Sequence, residues 1–367
     1  KGQVDVAKRV SHGELKHLIE IYYKIHRALF IWGTIGIGKS DTVRQAAMDL
    51  AKEMNLEYSE DLRDINNEKK FLVLDVRLSQ MDPSDLRGIP VFDKQAECTR
   101  WLAPSTFPRK GFGIIFFDEL NLAAPLIQAS AYQMILNRQL GEYMIPEGYG
   151  MVAAGNRLED RANIFDIAGT LANRMGHCQL DPPGVEDWTN WAAKKGIDMR
   201  VIGFLQMRQG ALFDFDGTLK EKAFATPRTW EFVSQILKDV PSDDISEITL
   251  RVATLVGEGK AVEFAGWLRL KDQLHPIKEY FDKPDKIDIP EDVNLLWCLV
   301  TSVVEYYKVH TDQKTLTSVV KLLKRVQEEY ATFTLKLLYS IDNNVQTKLQ
   351  NIPDAVDLAQ KLWKFLQ

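Results

Sequence analysis

This sequence has few cysteines, few histidines and a small net charge. Its 367 residues include three cysteines and six histidines. Cys98, Cys178 and Cys298 lie far apart, which argues against a disulfide framework or a cysteine-based zinc motif, so we expect reduced thiols in a cytoplasmic protein. The 46 basic and 51 acidic residues leave a net charge of −5, which gives no overall sign of a nucleic-acid or membrane partner. No apolar run is long enough to span a bilayer.

The rest of the composition is that of an ordinary globular protein, with 45% hydrophobic and 26% charged residues. A chain of this length is expected to contain two or three domains. Three zones differ in pattern, and they predict domains at 1–181, 182–271 and 272–367. The last zone opens with a linker rich in proline, aspartate and lysine and continues as helices up to residue 367.

The first zone alternates short apolar runs with helical stretches. Because they are short, rich in β-formers and almost continuously apolar, four runs predict buried parallel strands: ALFIWG (28–33), FLVLDV (71–76), GIIFFDE (113–119) and YGMVAAGN (149–156). Helices are predicted between them, at 41–55 and 125–137. This alternation predicts a parallel α/β sheet covered by helices on both faces. The second zone has no strand signal, and it predicts an all-α domain.

The segment GTIGIGKS (33–40) follows the first apolar run and opens a predicted helix. It fits the phosphate-loop pattern G-x-x-x-x-G-K-[ST]. Glycines let the backbone N–H groups point at phosphate oxygens, and the helix N-terminus adds partial positive charge. Lys39 is expected to reach the β- and γ-phosphates of ATP, and the Ser40 hydroxyl to ligate Mg²⁺. The predicted nucleotide-binding residues are Gly33, Thr34, Gly36, Ile37, Gly38, Lys39, Ser40 and Asp41.

A second motif lies at the end of the third apolar run, where GIIFFDE finishes in Asp118 and Glu119. An acid at the tip of such a strand holds Mg²⁺ in phosphate-loop enzymes, and this role is predicted for Asp118. The next acid, Glu119, is predicted to orient or activate the attacking water.

These two motifs, with the segments that follow them, resemble those of AAA+ ATPases, and more specifically of the MoxR-like branch. The segment most typical of the branch is MDPSDLRGIPVF (81–92), and the resemblance covers roughly residues 10–271. It implies a parallel phosphate-loop sheet as the core and an all-α lid. The C-terminal helical extension, 272–367, has no role assigned by it.

The resemblance also implies two further residues that face the nucleotide within one subunit. YGMVAAGNR (149–157) ends an apolar strand in Asn156, at the sensor-1 position, whose polar residue positions the attacking water. FATPRTW (224–230) has Arg228 at the sensor-2 position, from which the lid domain faces the γ-phosphate.

An arginine finger, which reaches the ATP of a neighbouring subunit, is implied at Arg174 in GTLANRMGH (169–177). A guanidinium at that place would offset the negative charge on the γ-phosphate oxygens. Met175 departs from the family pattern, in which an aromatic residue commonly follows the arginine. Arg157 and Arg161 are alternatives, because they lie just after the sensor-1 position.

By this resemblance the chain is a Mg²⁺-dependent ATP hydrolase with sites at the subunit interfaces of a homo-oligomeric ring, a hexamer. MoxR-like ATPases resemble chaperones and remodel or activate a protein partner, often together with a von Willebrand factor A-domain protein. Two segments are candidates for contacting such a partner, 81–110 and 137–150, and the second is predicted to be a hairpin.

Two other functions stay open. One is a nucleic-acid-linked motor serving restriction or mobile-element defence, and its support is the basic residues Arg100, Arg109 and Lys110. The other is a nucleotide-gated binding module with little hydrolysis, against which Glu119 argues.

The stretch ALFDFDGTL (211–219) looks like the nucleophile loop of a haloacid-dehalogenase-type phosphatase, with Asp214 as nucleophile and Asp216 as acid/base. That chemistry requires the stretch at the tip of a central parallel strand. Only three apolar residues precede Asp214, and predicted lid helices flank the stretch. A turn or hairpin between lid helices is therefore the preferred interpretation.

Overall fold

The computed structural model describes residues 7–157, 173–215, 222–241 and 243–358. The chain divides into two units, Lys1–Pro182 and Pro183–Gln367. No helix within these described ranges is long and apolar enough to cross a membrane.

A parallel sheet of seven strands forms the centre of the first unit. The strands of this unit are β1 (Lys8–Val10), β2 (Leu29–Trp32), β3 (Glu57–Ser59), β4 (Lys70–Arg77), β5 (Ile89–Asp93), β6 (Cys98–Leu102), β7 (Phe112–Asp118), β8 (Gln139–Leu140), β9 (Tyr143–Met144), β10 (Tyr149–Gly155) and β11 (Gly176–Leu180). The sheet order is β1-β11-β2-β10-β7-β4-β3, and every neighbouring pair is parallel.

The four predicted strands are confirmed as β2, β4, β7 and β10. All residues of β2 and β10 are buried, because a parallel sheet is covered on both faces. The strands β1 and β3 have three residues each, too few to leave a periodic signal in the sequence, and they form the two edges of the sheet.

In the described part of the first unit, the helices are α1 (His12–Lys24), α2 (Lys39–Glu53), α3 (Pro83–Arg87) and α4 (Pro125–Asn137). The predicted helices at 41–55 and 125–137 are confirmed as α2 and α4. A capping box starts α1: the Ser11 hydroxyl accepts from Glu14 N, and the Glu14 carboxylate accepts from Ser11 N. Proline at the first position of α4 needs no N–H partner there.

Two antiparallel hairpins interrupt the parallel pattern, β5–β6 and β8–β9. The second confirms the hairpin predicted within 137–150. The first was not predicted, and it exposes large apolar side chains, with Ile89, Phe92 and Leu102 all more than 60% exposed. The base of the β8–β9 hairpin meets the chain that leaves β6, since Tyr143 Oη donates to Pro108 O at 2.8 Å.

The second unit is helical. Over its described residues the helices are α5 (Val185–Lys195), α6 (Met199–Met207), α7 (Pro227–Ile236), α8 (Ile245–Val256), α9 (Glu258–Leu270), α10 (Ile277–Asp282), α11 (Val293–Val309), α12 (Gln313–Leu323), α13 (Glu328–Ile341) and α14 (Val345–Gln350). One hydrophobic cluster runs through them, from Trp188 to Leu358. The predicted separation of a lid from a C-terminal domain at 271/272 stays a prediction.

The predicted fold class is confirmed: a parallel α/β sheet with surrounding helices is followed by a helical C-terminal part. The three cysteines are free thiols, exposed at Cys98 and buried at Cys178 and Cys298. Burial raises the pKa of both buried thiols to about 12, so they stay protonated at neutral pH.

Candidate functional site

The phosphate-loop segment, 33–40, joins β2 directly to α2. Gly36 and Gly38 have φ of 78° and 93°, in the left-handed region that favours glycine. Gly38 is also the N-cap of α2, and no side chain caps that end. The N–H groups of a first helical turn point out of the helix, and together with the helix dipole they favour an anion. His12 at the start of α1 has its Nε2 2.8 Å from Ile37 O of this loop.

Lys39 is buried at the start of α2 and is 8% exposed. Its Nζ donates to Gly33 O at 2.5 Å, to Thr34 O at 2.9 Å and to Asn156 Oδ1 at 3.2 Å. An ammonium group with these oxygen acceptors is positioned where phosphate oxygens would bind. The contact brings the predicted sensor-1 residue, from the end of β10, onto the phosphate loop.

A hydroxyl and a carboxylate face each other beside this lysine. Ser40 Oγ donates to Asp118 Oδ2 at 3.1 Å, and Asp118 Oδ1 accepts from Glu119 N at 2.9 Å. Oxygen donors of this kind suit Mg²⁺, which binds proteins through one or two such groups and takes its other ligands from water and phosphates. Asp41 lies one residue further along α2 and faces Arg44 at 3.7 Å.

The backbone at Glu119 is left-handed, with φ of 55°, which is uncommon for a residue other than glycine. The Ser79 hydroxyl donates a short hydrogen bond to Glu119 Oε2. Ser79 lies just beyond β4, and β4 pairs with β7 in a register that puts Arg77 opposite Asp118. Ser79 was not predicted from the sequence, in which its one signal is its place just after an apolar run.

Asp75 is a second acid near Asp118, on the neighbouring strand. Burial raises the pKa of the Asp75 carboxyl, and the Asp118 carboxylate adds to the rise, while Arg77 and Arg44 oppose it in part. Arg44 Nη2 lies 3.5 Å from Asp75 Oδ2. Asp75 Oδ1 is buried, and no hydrogen-bond partner for it occurs in the part of the chain that the structure describes. Asp75 was not predicted for the site either.

Asn156 directly follows β10 and is 6% exposed. Besides the Lys39 contact, both of its backbone groups bond to the side chain of Asn121, a residue not predicted for the site. The structure thus brings Asn156 together with the phosphate loop and with the segment after β7.

The predicted arginines lie in different parts of the chain. Arg174 is exposed, in a turn directly before β11. Arg228 is exposed on α7, in the second unit. Arg157 directly follows Asn156, and Arg161 lies outside the described residues. The roles predicted for these residues stay predictions.

The stretch that suggested a phosphatase lies in the helical unit. Asp214 forms an isolated antiparallel bridge with Ala225 and an ion pair of 3.0 Å with Lys260. It does not stand at the tip of a strand of the parallel sheet, which a phosphatase nucleophile of this type requires. Asp216 lies outside the described residues.

Comparison with known proteins finds solved structures of similar fold at low identity. A mutant of RuvB from Thermotoga maritima is 11% identical, with 75% of this chain and 77% of that chain covered and a TM-score of 0.34. NtrX from Brucella abortus in complex with ADP is 12% identical, with 96% of this chain and 67% of that chain covered and a TM-score of 0.34. Domain III of the Thermotoga maritima replication initiation protein DnaA is 16% identical, with 72% of this chain and 93% of that chain covered and a TM-score of 0.32. No protein-family model and no curated protein matches the chain. These likenesses are too remote to carry an activity over to this chain.

Proposed function

We propose that this chain is an AAA+ ATPase of the MoxR-like branch that hydrolyses ATP and uses the energy to remodel or activate a protein partner. The observation that carries the proposal is the meeting of Lys39, Ser40, Asp118, Glu119 and Asn156 at the carboxyl edge of β2, β7 and β10. Ligands of parallel α/β sheets bind at this edge.

Each of these groups has a task in phosphoryl transfer. Ser40 Oγ and the Asp118 carboxylate would hold Mg²⁺, which neutralises charge between the β- and γ-phosphates. Lys39 Nζ would give up its hydrogen bonds to the carbonyl oxygens of Gly33 and Thr34 and donate to phosphate oxygens instead. Asn156 Oδ1 already contacts Lys39 Nζ and would orient the attacking water.

Glu119 would act on that water as a general base. Its carboxylate accepts from Ser79 in this structure, so the base would have to exchange the serine hydroxyl for water. We propose Arg228 and the arginine finger Arg174 as the cations that complete the site, the finger from a neighbouring subunit of a cytoplasmic hexameric ring.

A polypeptide fits the exposed hairpins better than nucleic acid does. The β5–β6 hairpin exposes apolar side chains, while the basic residues that would favour nucleic acid have partners. Arg100 pairs with Asp93 at 3.0 Å, Lys110 pairs with Glu68 at 3.0 Å, and Arg109 lies over the Tyr143 ring at 5.0 Å. A von Willebrand factor A-domain protein is the partner implied by the family resemblance.

The proposal is tested by ATP turnover and ATP binding of two variants. Glu119→Gln should bind ATP like the wild type but lower kcat by about 100-fold or more, because the base is gone while the phosphate loop is unchanged. Lys39→Ala should instead weaken ATP binding. Glu53→Gln, at the exposed end of α2, is the matched control and should do neither. Normal turnover in Glu119→Gln would refute the proposed site.

A further inference from the structure

Asn121 makes an unusual pair of contacts with the predicted sensor-1 residue. Its side chain is fully buried, with 0% exposure. Asn121 Nδ2 donates to Asn156 O at 2.7 Å, and Asn121 Oδ1 accepts from Asn156 N at 3.1 Å. One amide therefore satisfies both backbone groups of Asn156, in the way that a paired strand would satisfy them.

The surrounding backbone is shaped to admit this amide. A Cβ placed on Gly155 would lie 2.6 Å from Asn121 Oδ1, so a side chain at that position would displace it. Asn156 is the first residue beyond β10. The pairing of β10 with β2 ends at Gly155. At the next residue, Asn156, the side-chain amide of Asn121 takes the place of a neighbouring strand.

Asn121 also has a defined place relative to the proposed base. It is two residues from Glu119, within a 3₁₀ turn, Leu120–Leu122. A short, hydrogen-bonded turn leaves little freedom between these two residues. The far side of Asn156 contacts Lys39, since Asn156 Oδ1 accepts from Lys39 Nζ at 3.2 Å. The base, the sensor amide and the phosphate-loop lysine are thus joined by one chain of contacts.

We propose that Asn121 is a positioning residue for ATP hydrolysis: it holds the peptide of Asn156 so that the Asn156 amide faces the γ-phosphate and the attacking water at a set distance from Glu119. The inference rests on the proposed function. Asn121 itself would touch neither nucleotide nor water, because it is buried and both ends of its amide are occupied by Asn156.

This role predicts a loss in the chemical step rather than in binding. Asn121→Ala frees the peptide of Asn156 but leaves the phosphate loop intact. A misplacement of about 1 Å in a catalytic constellation costs on the order of 100-fold in rate. We therefore expect Asn121→Ala to lower kcat by roughly 10-fold to 100-fold, with the Kd for ATP within about threefold of the wild type.

The deciding experiment is a double-mutant cycle on kcat with Asn156→Ala. If Asn121 acts through Asn156, the double variant should be no slower than Asn156→Ala alone, because the side chain that Asn121 positions is already missing. Losses that multiply in the double variant would overturn the inference.

Gln128→Ala is the control for general loosening. Gln128 is a buried amide on α4, and its Nε2 donates to Ala123 O at 2.9 Å. The Gln128→Ala variant should have a lower Tm than the wild type, as is also expected of Asn121→Ala, but an unchanged kcat. An equal fall of kcat in Gln128→Ala would overturn a specific role for Asn121.

Asn121→Asp serves if the alanine variant does not fold. Its carboxylate keeps an oxygen that accepts from Asn156 N but sets a second oxygen against Asn156 O in place of the donor, so kcat should fall, and this fall should again be absent in the Asn156→Ala background. An unchanged kcat in Asn121→Asp would overturn the inference. A wild type that binds ATP without turnover would instead refute the proposed function, and this is measured first.

Discussion

At the scale of single residues, the site is held by hydrogen bonds that ATP would have to replace. Lys39 Nζ bonds to two carbonyls of its own loop, and Glu119 bonds to Ser79. Charge-assisted bonds from the ammonium to phosphate oxygens are stronger than bonds to neutral carbonyls. Nucleotide binding would therefore favour a shift of the Lys39 ammonium from the loop carbonyls to phosphate oxygens.

Asp75 leads to a prediction on stability and pH. Its pKa is raised on folding, chiefly by burial. The folded chain thus binds this proton more tightly than the unfolded chain, and the wild type loses stability as the pH rises through the interval between the two pKa values. Asparagine does not titrate. The Tm of Asp75→Asn minus the Tm of the wild type should therefore become larger as the pH is raised from about 4 to about 7.

Thermal unfolding of both proteins at several pH values measures this difference. A difference in Tm that stays constant with pH, or that shrinks toward neutral pH, would contradict the raised pKa of Asp75.

At the scale of elements, the carboxyl ends of four neighbouring strands supply the site. β2 leads into the phosphate loop, β10 into Asn156, β7 into Asp118 and Glu119, and β4 into Ser79. Because parallel strands end at one edge, residues that are far apart in the sequence meet there without long loops. Each strand needs only its last residue or the next few to be chemically specialised.

The start of α7, which carries Arg228, depends on a pair of threonines. Thr226 Oγ1 accepts from Thr229 N at 3.1 Å, and Thr229 Oγ1 accepts from Thr226 N at 2.8 Å. Loss of an N-cap hydroxyl costs about 1 kcal/mol. Thr226→Ala should therefore lower the free energy of unfolding by about that amount in urea titrations. Thr226→Ser keeps the hydroxyl and should lose much less; an equal loss would assign the effect to the missing methyl group.

The β5–β6 hairpin yields a prediction about the partner. Phe92 is 67% exposed, so Phe92→Ser should change the free energy of unfolding by no more than about 0.5 kcal/mol. If the hairpin contacts unfolded polypeptide, unfolded casein should stimulate ATP turnover of the wild type, and Phe92→Ser should reduce that stimulation while basal turnover stays the same.

Leu126→Ser is the matched control for this experiment, since Leu126 is 60% exposed on α4. Equal loss of stimulation in both variants would show that exposed apolar area in general, rather than the hairpin, responds to casein.

At the scale of the whole molecule, the proposed function would need the two proposed cations, Arg228 and Arg174, to complete the site. Lys39, Ser40, Asp118, Glu119 and Asn156 all belong to the first unit, whereas Arg228 belongs to the second. A site completed by a neighbouring copy through a head-to-tail interface would lead to a ring. In that arrangement one subunit supplies Glu119 and the next supplies Arg174.

Mixing two inactive variants tests this arrangement. Arg174→Ala and Glu119→Gln should each be almost inactive alone, since an arginine finger contributes roughly 1,000-fold or more to kcat. In a mixture, a site with an intact Glu119 can adjoin a subunit with an intact Arg174, so ATP turnover should reappear. No recovery in mixtures that co-assemble, as judged by sizing, would rule Arg174 out as a finger acting between subunits.

The loop 33–40 and the acids at 118 and 119 were predictable because their chemistry is local. A strand, a glycine loop and a helix N-terminus follow one another within a few residues, so the pattern specifies the conformation of this segment. The four central strands were predictable as well, since burial on both faces requires continuous apolar runs. The edge strands β1 and β3 were not, because three residues carry no periodicity.

The contacts within the site depended on the tertiary structure. That Ser79 bonds to Glu119, that Asp75 lies near Asp118 and that Asn121 holds Asn156 follow from the order and register of β4, β7 and β10 in the sheet. The order of strands in a sheet is decided by packing between segments that are far apart in the sequence. No local pattern in a single sequence shows which strands will be neighbours. The motifs thus define which groups could bind and hydrolyse ATP, and the sheet decides which neighbours hold those groups in place.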